Sequence, residues 1–140
     1  MKYVIIGNSA AGIGAVEGIR QRDQNGEIVV ITDEPHHTYS RPLISYLLRG
    51  KVTEETMKYR NDNFYTAHNV RLLYAEATEV DTKSKQVILS DGNTLPFDKL
   101  LVAAGSSAFV PPFEGLDTVE HKLTFMSLDD VKKLDEILND

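Results

Sequence analysis

Cysteine is absent from this chain of 140 residues. Its absence excludes structural disulfides, thiolate metal sites, cysteine-held iron–sulfur clusters and any redox-active dithiol within the chain. Redox chemistry carried out here therefore has to belong to a cofactor. Basic side chains are also in the minority, 15 Lys and Arg against 21 Asp and Glu for a net charge of −6. That balance leaves no basic stripe for a phosphate backbone and argues against a nucleic acid partner. No apolar run approaches the roughly 20 residues needed to cross a bilayer. The opening Met1-Lys2-Tyr3-Val4-Ile5-Ile6-Gly7 turns glycine-rich too soon for the apolar region of a signal peptide. The expected location is the cytoplasm, away from membranes. What is present is an ordinary hydrophobic content of 41%, enough for one domain with a core of its own.

Residues 3 to 6 are an apolar, β-branched run that breaks into Gly7-Asn8-Ser9-Ala10-Ala11-Gly12. Ile13, Val16, Ile19 and Arg20 then continue at helical spacing to about Asp23. Asn25-Gly26 closes that helix, and Glu27-Ile28-Val29-Val30-Ile31 reads as a strand buried on both faces of a parallel sheet. Strand, helix and strand make one βαβ unit, right-handed by default. Asp33 to Arg60 is a connection, with short helices expected at Leu43 to Arg49 and from about Thr53. Asn69 to Tyr74 reads as a third strand. The period then changes to 2 through Ala75 to Asp81, Gln86 to Leu89 and Thr94 to Phe97, with turns at Thr82-Lys83-Ser84 and Asp91-Gly92-Asn93. Asp-Gly between alternating runs is a hairpin signal, so an antiparallel meander is expected. Leu100 to Ala104, ending in Gly105, is apolar throughout and is expected to return to the parallel sheet as a central strand. Ser127 to Asn139 reads as an amphipathic helix, with Ser127 as N-cap, Asp129 and Asp130 in the first turn, and Leu128, Val131, Leu134 and Leu138 along one face. The fold class is α/β: a Rossmann-like parallel sheet with an antiparallel β-meander.

Gly7-x-Ser9-x-x-Gly12 departs from Gly-x-Gly-x-x-Gly at its middle position, where a glycine normally allows the closest approach to a pyrophosphate. Its context carries more weight than its letters. The motif follows a strand, opens a helix whose N-terminal amides and dipole favour an anion, and is kept slim by Ala10 and Ala11. The fingerprint also calls for an acid about 20 positions on, to accept the hydroxyls of an adenosine ribose. Asp33 and Glu34 lie 21 and 22 residues past Gly12, and the spacing does not choose between them. An acid there argues against a 2′-phosphorylated nucleotide. These residues indicate a dinucleotide, NAD or FAD, without deciding which.

Three further segments carry a resemblance. Thr38-Tyr39-Ser40-Arg41-Pro42-Leu43-Ile44-Ser45 resembles the Y-S-R-P-x-L-S segment that follows the second strand in the FAD domain of the pyridine nucleotide–disulfide oxidoreductase superfamily. Thr78-Glu79-Val80-Asp81 resembles the strand whose backbone brackets the adenine in those proteins. Phe97-Asp98-Lys99-Leu100-Leu101-Val102-Ala103-Ala104-Gly105-Ser106 resembles the Y-D-x-L-L-I-A-T-G-S segment that closes their FAD domain, before Pro111-Pro112 and Gly115. The resemblance covers nearly the whole chain. Ala104 replaces the usual threonine, and Ile44 or a neighbour stands where the cysteine-using oxidases carry their redox cysteine. The chain is thus most similar to the cysteine-free branch: rubredoxin and ferredoxin reductases, the flavin part of NADH-dependent nitrite reductase, and apoptosis-inducing-factor-like proteins.

The resemblance implies an NAD(P)H-dependent flavoprotein oxidoreductase in which electrons pass through FAD to a redox protein or a small acceptor. Residues Gly7, Asn8, Ser9, Ala10, Ala11 and Gly12 would hold the FAD pyrophosphate, and Asp33 or Glu34 the ribose. Glu79 and Val80 would flank the adenine, Ala103, Ala104 and Gly105 would line the cofactor, and Arg41 and Pro42 would lie near the flavin. An arginine there can stabilise an anionic reduced flavin, since it does not deprotonate. Residues 1–125 are expected to be the N-terminal part of an FAD-binding domain, incomplete relative to the full family, and 126–140 a helix leading towards an NAD(P)-binding domain. That domain and the returning FAD segment would come from a longer chain or a partner subunit, so NAD(P)H would bind outside these residues. Two other readings stand beside this one, a non-catalytic FAD- or adenine-nucleotide-binding subunit and an NAD-binding dehydrogenase domain. His36-His37 reads as solvated loop, and Tyr39, Tyr46, Phe64 and Tyr65 as packing residues.

Overall fold

In the middle of the sheet, neighbouring residues of one strand bury themselves in different cores. Val4, Val29 and Ile31 face one side, while Ile5, Ile28 and Val30 face the other, and all are at most 1% exposed. A strand covered on both faces has no place for the polar half of an alternating pattern, which is why these runs are continuously apolar. The structure, a computed structural model, describes residues 1–139. The chain divides into two compact units: Met1–Tyr39 with Tyr59–Gly105, and Ser40–Lys58 with the residues from Ser106 onward.

The first unit begins with strand β1 (Lys2–Ile6), helix α1 (Ala10–Arg22) and strand β2 (Glu27–Thr32). A short helix α4 (Phe64–Ala67) precedes β3 (Val70–Tyr74). The meander follows as β4 (Ala77–Asp81), β5 (Gln86–Leu89) and β6 (Thr94–Pro96), and β7 (Lys99–Val102) returns to the first sheet. Strands β3-β2-β1-β7 form a four-stranded parallel sheet, and β4-β5-β6 a three-stranded antiparallel one. Val87, Leu89 and Leu95 of the meander close the core on one face of the parallel sheet, while Ile13 and Val16 of α1 and Phe64 of α4 close the other. The result is an α/β Rossmann-like fold in three layers, as the periodicities predict.

Local chemistry shapes the turns. The Asp91 carboxylate accepts from the Asn93 amide at 2.9 Å and Gly92 takes φ +82°, which makes the hairpin read from Asp-Gly. Asp81 does the same for Lys83 and Ser84, and these bonds, the Ser84 hydroxyl first, hold its carboxyl below the usual range.

Two features differ from the sequence reading. β7 pairs with β1 alone and forms the edge of the described sheet, with Leu101 and Val102 at 40% and 62% exposure. An apolar run signals apolar surroundings above and below a strand, but it carries no information about how many strands flank it. Helix α4 has no counterpart in the sequence reading, because four residues are too few to show a helical period. It exists because Phe64, 3% exposed, inserts into the core beneath α1.

In the second unit a 3-10 turn (Arg41–Leu43) leads into helix α2 (Ile44–Leu48), followed by α3 (Glu54–Met57) and, after a 3-10 turn at Leu116–Thr118, by α5 (Leu128–Asn139). Helix α5 lies against α2. Its N-terminus is capped as its sequence predicts: Ser127 Oγ accepts from the Asp130 amide at 3.1 Å, and Asp130 accepts from the Ser127 amide at 3.0 Å. Leu128 and Val131 are buried, but Leu138 is 66% exposed, so the predicted apolar face is covered only along its first turns. No helix among the described residues is long and apolar enough to cross a membrane.

Arg20 ties the first unit together. Its guanidinium donates to the carbonyls of His68 at 2.6 Å, Gly26 at 2.8 Å, and Asp23 and Asn69 at 3.0 Å. These carbonyls lie on the segments that enter β2 and β3, so one side chain sets the starting level of two neighbouring strands. Arg20→Ala is expected to lower the unfolding free energy by about 2 kcal/mol in urea titrations, because several carbonyls lose a charged donor together. Arg20→Lys should recover little of this, since an ammonium cannot span the fork. A loss within about 0.5 kcal/mol for both variants would show that water serves those carbonyls equally well.

Candidate functional site

Strand β1 ends at Ile6, and the chain turns at Gly7 with φ +115°, a conformation that side chains rarely adopt. The turn is fixed from both sides: the Gly7 amide donates to Ile31 O of β2 at 2.8 Å, and the Ala103 amide beyond β7 donates to Ile6 O at 2.7 Å. A Cβ on Gly7 would stand 2.2 Å from the Ala103 carbonyl oxygen, and one on Gly12 would stand 2.0 Å from the Gly7 carbonyl oxygen. Both contacts are with backbone, which cannot swing aside. The first and last glycines of the motif are therefore required by the protein's own packing, which presses the start of α1 against the carboxyl edge of the sheet.

Ser9 at the middle position is the N-cap, in extended conformation with φ −104°, but its side chain makes no capping hydrogen bond. The first intrahelical bond runs from the Ile13 amide to Ser9 O at 3.0 Å, so the amides of Ala10, Ala11 and Gly12 have no helical acceptor. The first turn of α1 contains no acid, and Ala10 and Ala11 are exposed. Helices α2 and α4, of five and four residues, also start without a side-chain cap or an acid, but α3 and α5 do not. Helix α3 has a Thr53–Thr56 capping box with Glu54 and Glu55 in its first turn, and α5 has Ser127 and Asp130. The 13-residue α1 thus presents the positive end of its dipole, about half an elementary charge, with no acid in its own first turn.

The other predicted residues lie on several segments of both units. Asp33 and Glu34 follow directly on β2, and the structure separates them: Asp33 is exposed, whereas Glu34 accepts from the Tyr39 hydroxyl at 2.5 Å and its amide donates to Thr32 Oγ1 at 3.3 Å. Ala103, Ala104 and Gly105 follow on β7, with Gly105 at φ +72°. Glu79 and Val80 lie on β4, an edge strand of the antiparallel sheet, with Val80 packed on the core and Glu79 exposed. Arg41 and Pro42 belong to the second unit, where Arg41 Nη1 donates to Met126 O at 2.9 Å.

Two residues have more in the structure than their sequence context predicts. Tyr65 is a hydrogen-bond donor as well as a packing residue: its hydroxyl donates to Asn8 Oδ1 at 2.7 Å, and burial, its largest influence, pushes its pKa up. The two residues are 57 positions apart, so no local pattern could pair them. His37 is half-buried with its ring edge-on to Tyr65 at 5.2 Å and is not part of a solvated loop. Among the described residues no cluster of three His, Cys, Asp or Glu is placed to hold a metal ion.

The architecture and the open helix start define a nucleotide-binding α/β domain. The family profile for pyridine nucleotide-disulphide oxidoreductases matches residues 1–139. The chain belongs to that family, whose members use FAD and NAD(P)H. It is 35% identical over 136 residues to the NADH-dependent phenylglyoxylate dehydrogenase subunit epsilon of Aromatoleum evansii, covering 95% of this chain and 32% of that one. It is also 35% identical over 118 residues to the assimilatory nitrate reductase electron transfer subunit of Bacillus subtilis, covering 83% and 15%. In the covalent putidaredoxin reductase–putidaredoxin complex, a chain 28% identical superposes with a TM-score of 0.87, covering 98% of this chain and 34% of that one. This chain therefore spans between 15% and 34% of the length of these proteins.

The glycine contacts give a test with opposite signs. Gly14, in the same helix, would carry a Cβ with nothing within 4 Å. Gly14→Ala should stabilise by about 0.5–1 kcal/mol through helix propensity, and Gly12→Ala should destabilise by about 3 kcal/mol through backbone overlap. Thermal unfolding of the two variants in parallel checks both. Equal behaviour would contradict the close approach described.

Proposed function

We propose that this chain is the FAD-binding portion of an NAD(P)H-dependent flavoprotein oxidoreductase that passes electrons from reduced nicotinamide, through flavin, to a protein or small-molecule acceptor. The observation that carries the proposal is the uncapped, acid-free start of α1, held by glycine contacts at the carboxyl edge of a parallel sheet. Open α/β sheets bind their ligands outside that edge.

The residues present fit the cofactor. The amides of Ala10, Ala11 and Gly12 offer donors for a diphosphate, and the Ser9 hydroxyl, unused as a cap, adds another. Asp33 or Glu34 takes the adenosine ribose. Asp33 offers an exposed carboxylate, whereas that of Glu34 is already steered by Tyr39. The backbone of Glu79 and Val80 flanks the adenine, Ala103 to Gly105 form the adjoining wall, and Arg41 with Pro42 serves the flavin end. When bound there, FAD would supply the redox chemistry that links the nicotinamide donor to the acceptor. These residues bind and orient, and the hydride donor binds to a segment outside them.

Two features of the first unit support completion by further polypeptide. The outer edge of β7 carries the exposed Leu101 and Val102, and beside it an apolar groove of about 490 Å³ is lined by Ala15, Gly18 and Ile19 of α1 with Leu100 and Leu101 of β7. Residues 1–125 then form the N-terminal part of the FAD-binding domain, and 126–140 lead towards the NAD(P)-binding domain, in a longer chain or a partner subunit.

Mass spectrometry of nucleotide released on denaturation, with FAD and NAD titrations of the purified chain, tests this proposal. FAD is expected to bind better than NAD, and the isolated chain to hold less than one FAD per molecule. Ala11→Asp separates the cofactor site from the fold. It should weaken FAD at least tenfold by placing a carboxylate among the diphosphate donors, while leaving the unfolding temperature of the free chain unchanged or higher, because an acid suits a helix start. Retention of NAD in preference to FAD would favour a dehydrogenase domain, and stoichiometric FAD without a partner would overturn the incomplete site.

A further inference from the structure

Asn8 sits between Gly7, at φ +115°, and the N-cap Ser9, so it occupies the pivot of the glycine-rich turn. Its side chain is held from a distant part of the sequence. Tyr65, on the short helix α4, donates its hydroxyl proton to Asn8 Oδ1 at 2.7 Å. The Tyr65 ring is fixed edge-on by Phe64 at 5.4 Å and His37 at 5.2 Å. Phe64 in turn is part of the core beneath α1. A chain of contacts therefore runs from the core, through Tyr65, to the Asn8 side chain at the bend of a small-residue turn.

We propose that Tyr65 is a positioning residue for the glycine-rich turn, whose hydrogen bond to Asn8 holds the Gly7–Gly12 backbone with its amides converging on a diphosphate. This rests on the function proposed above. A turn of glycines and alanines has conformational freedom to lose when an anion binds, and an anchor at Asn8 removes that freedom beforehand. The anchor acts on the part of the site that meets the diphosphate and on no other. It therefore raises affinity for ligands that carry a diphosphate and leaves ligands without one unaffected.

The test is a two-dimensional NMR titration of the 15N-labelled chain with ADP and, separately, with adenosine. Tyr65→Phe keeps the ring and removes only the hydroxyl. It is expected to weaken ADP about fivefold, the worth of one hydrogen bond, while adenosine binds as before. Asn8→Ala reaches the same bond from the turn and should have a similar effect. The double variant should be no worse than either single one, because both remove one interaction. Urea unfolding of each variant confirms that it is folded, and Asn8→Ala, at the surface turn, serves if Tyr65→Phe is not. Unchanged ADP affinity in a folded variant, equal losses for ADP and adenosine, or additive losses in the double variant would each overturn the positioning role while leaving the proposed function standing. A parent chain that binds neither ADP nor FAD would overturn both.

Discussion

The fold of the first unit and its candidate site rest on the same close approach. Three pieces of backbone, the Gly7 turn, the first turn of α1 at Gly12 and the carbonyl of Ala103, occupy a space that admits no Cβ at either glycine. Because they meet there, β2 and β7 can both hydrogen-bond to the end of β1, through Ile31 O to the Gly7 amide and Ile6 O to the Ala103 amide. The same contacts fix where the helix leaves the turn. Everything the site needs afterwards, the direction of the Ala10 to Gly12 amides and the convergence of the post-β2 and post-β7 segments, follows from that geometry.

Helices α3 and α5 start with hydroxyl caps and first-turn acids, whereas the short α2 and α4 have neither. The 13-residue α1 also has neither, although Ser9 stands in the N-cap position. An uncapped helix start costs on the order of 1 kcal/mol of stability. Under the proposed function a bound diphosphate would supply the acceptor missing at this opening. The dense burial of Val4, Ile5 and Ile28 to Ile31, together with the Arg20 clamp, supplies the rigidity against which that opening is held.

Much of this was legible in the sequence, and what was not shares a physical reason. The β1–turn–α1–β2 unit, the Asp-Gly hairpin and the Ser127 cap are local, each written within a few residues that interact with one another. The family resemblance of the segments at Thr38–Ser45, Thr78–Asp81 and Phe97–Ser106 is likewise a matter of short strings in a fixed order, and membership of the family follows from the match over residues 1–139. The lateral position of β7, the existence of α4, the four carbonyls on Arg20 and the Tyr65–Asn8 bond are decided by partners tens of residues away. Periodicity reports which faces of an element are apolar, but it is silent on which neighbour covers them. The different surroundings of Asp33 and Glu34, one exposed and the other bonded to the Tyr39 hydroxyl, are likewise beyond any spacing rule.

The central claim is that the start of α1 grips the diphosphate of an adenine-containing flavin. A crystal structure of the chain with FAD addresses it most directly. The account predicts diphosphate oxygens within hydrogen-bond distance of the Ala10 and Ala11 amides, with the adenosine ribose at Asp33 or Glu34. FAD seated elsewhere, with those amides facing only water, would contradict it.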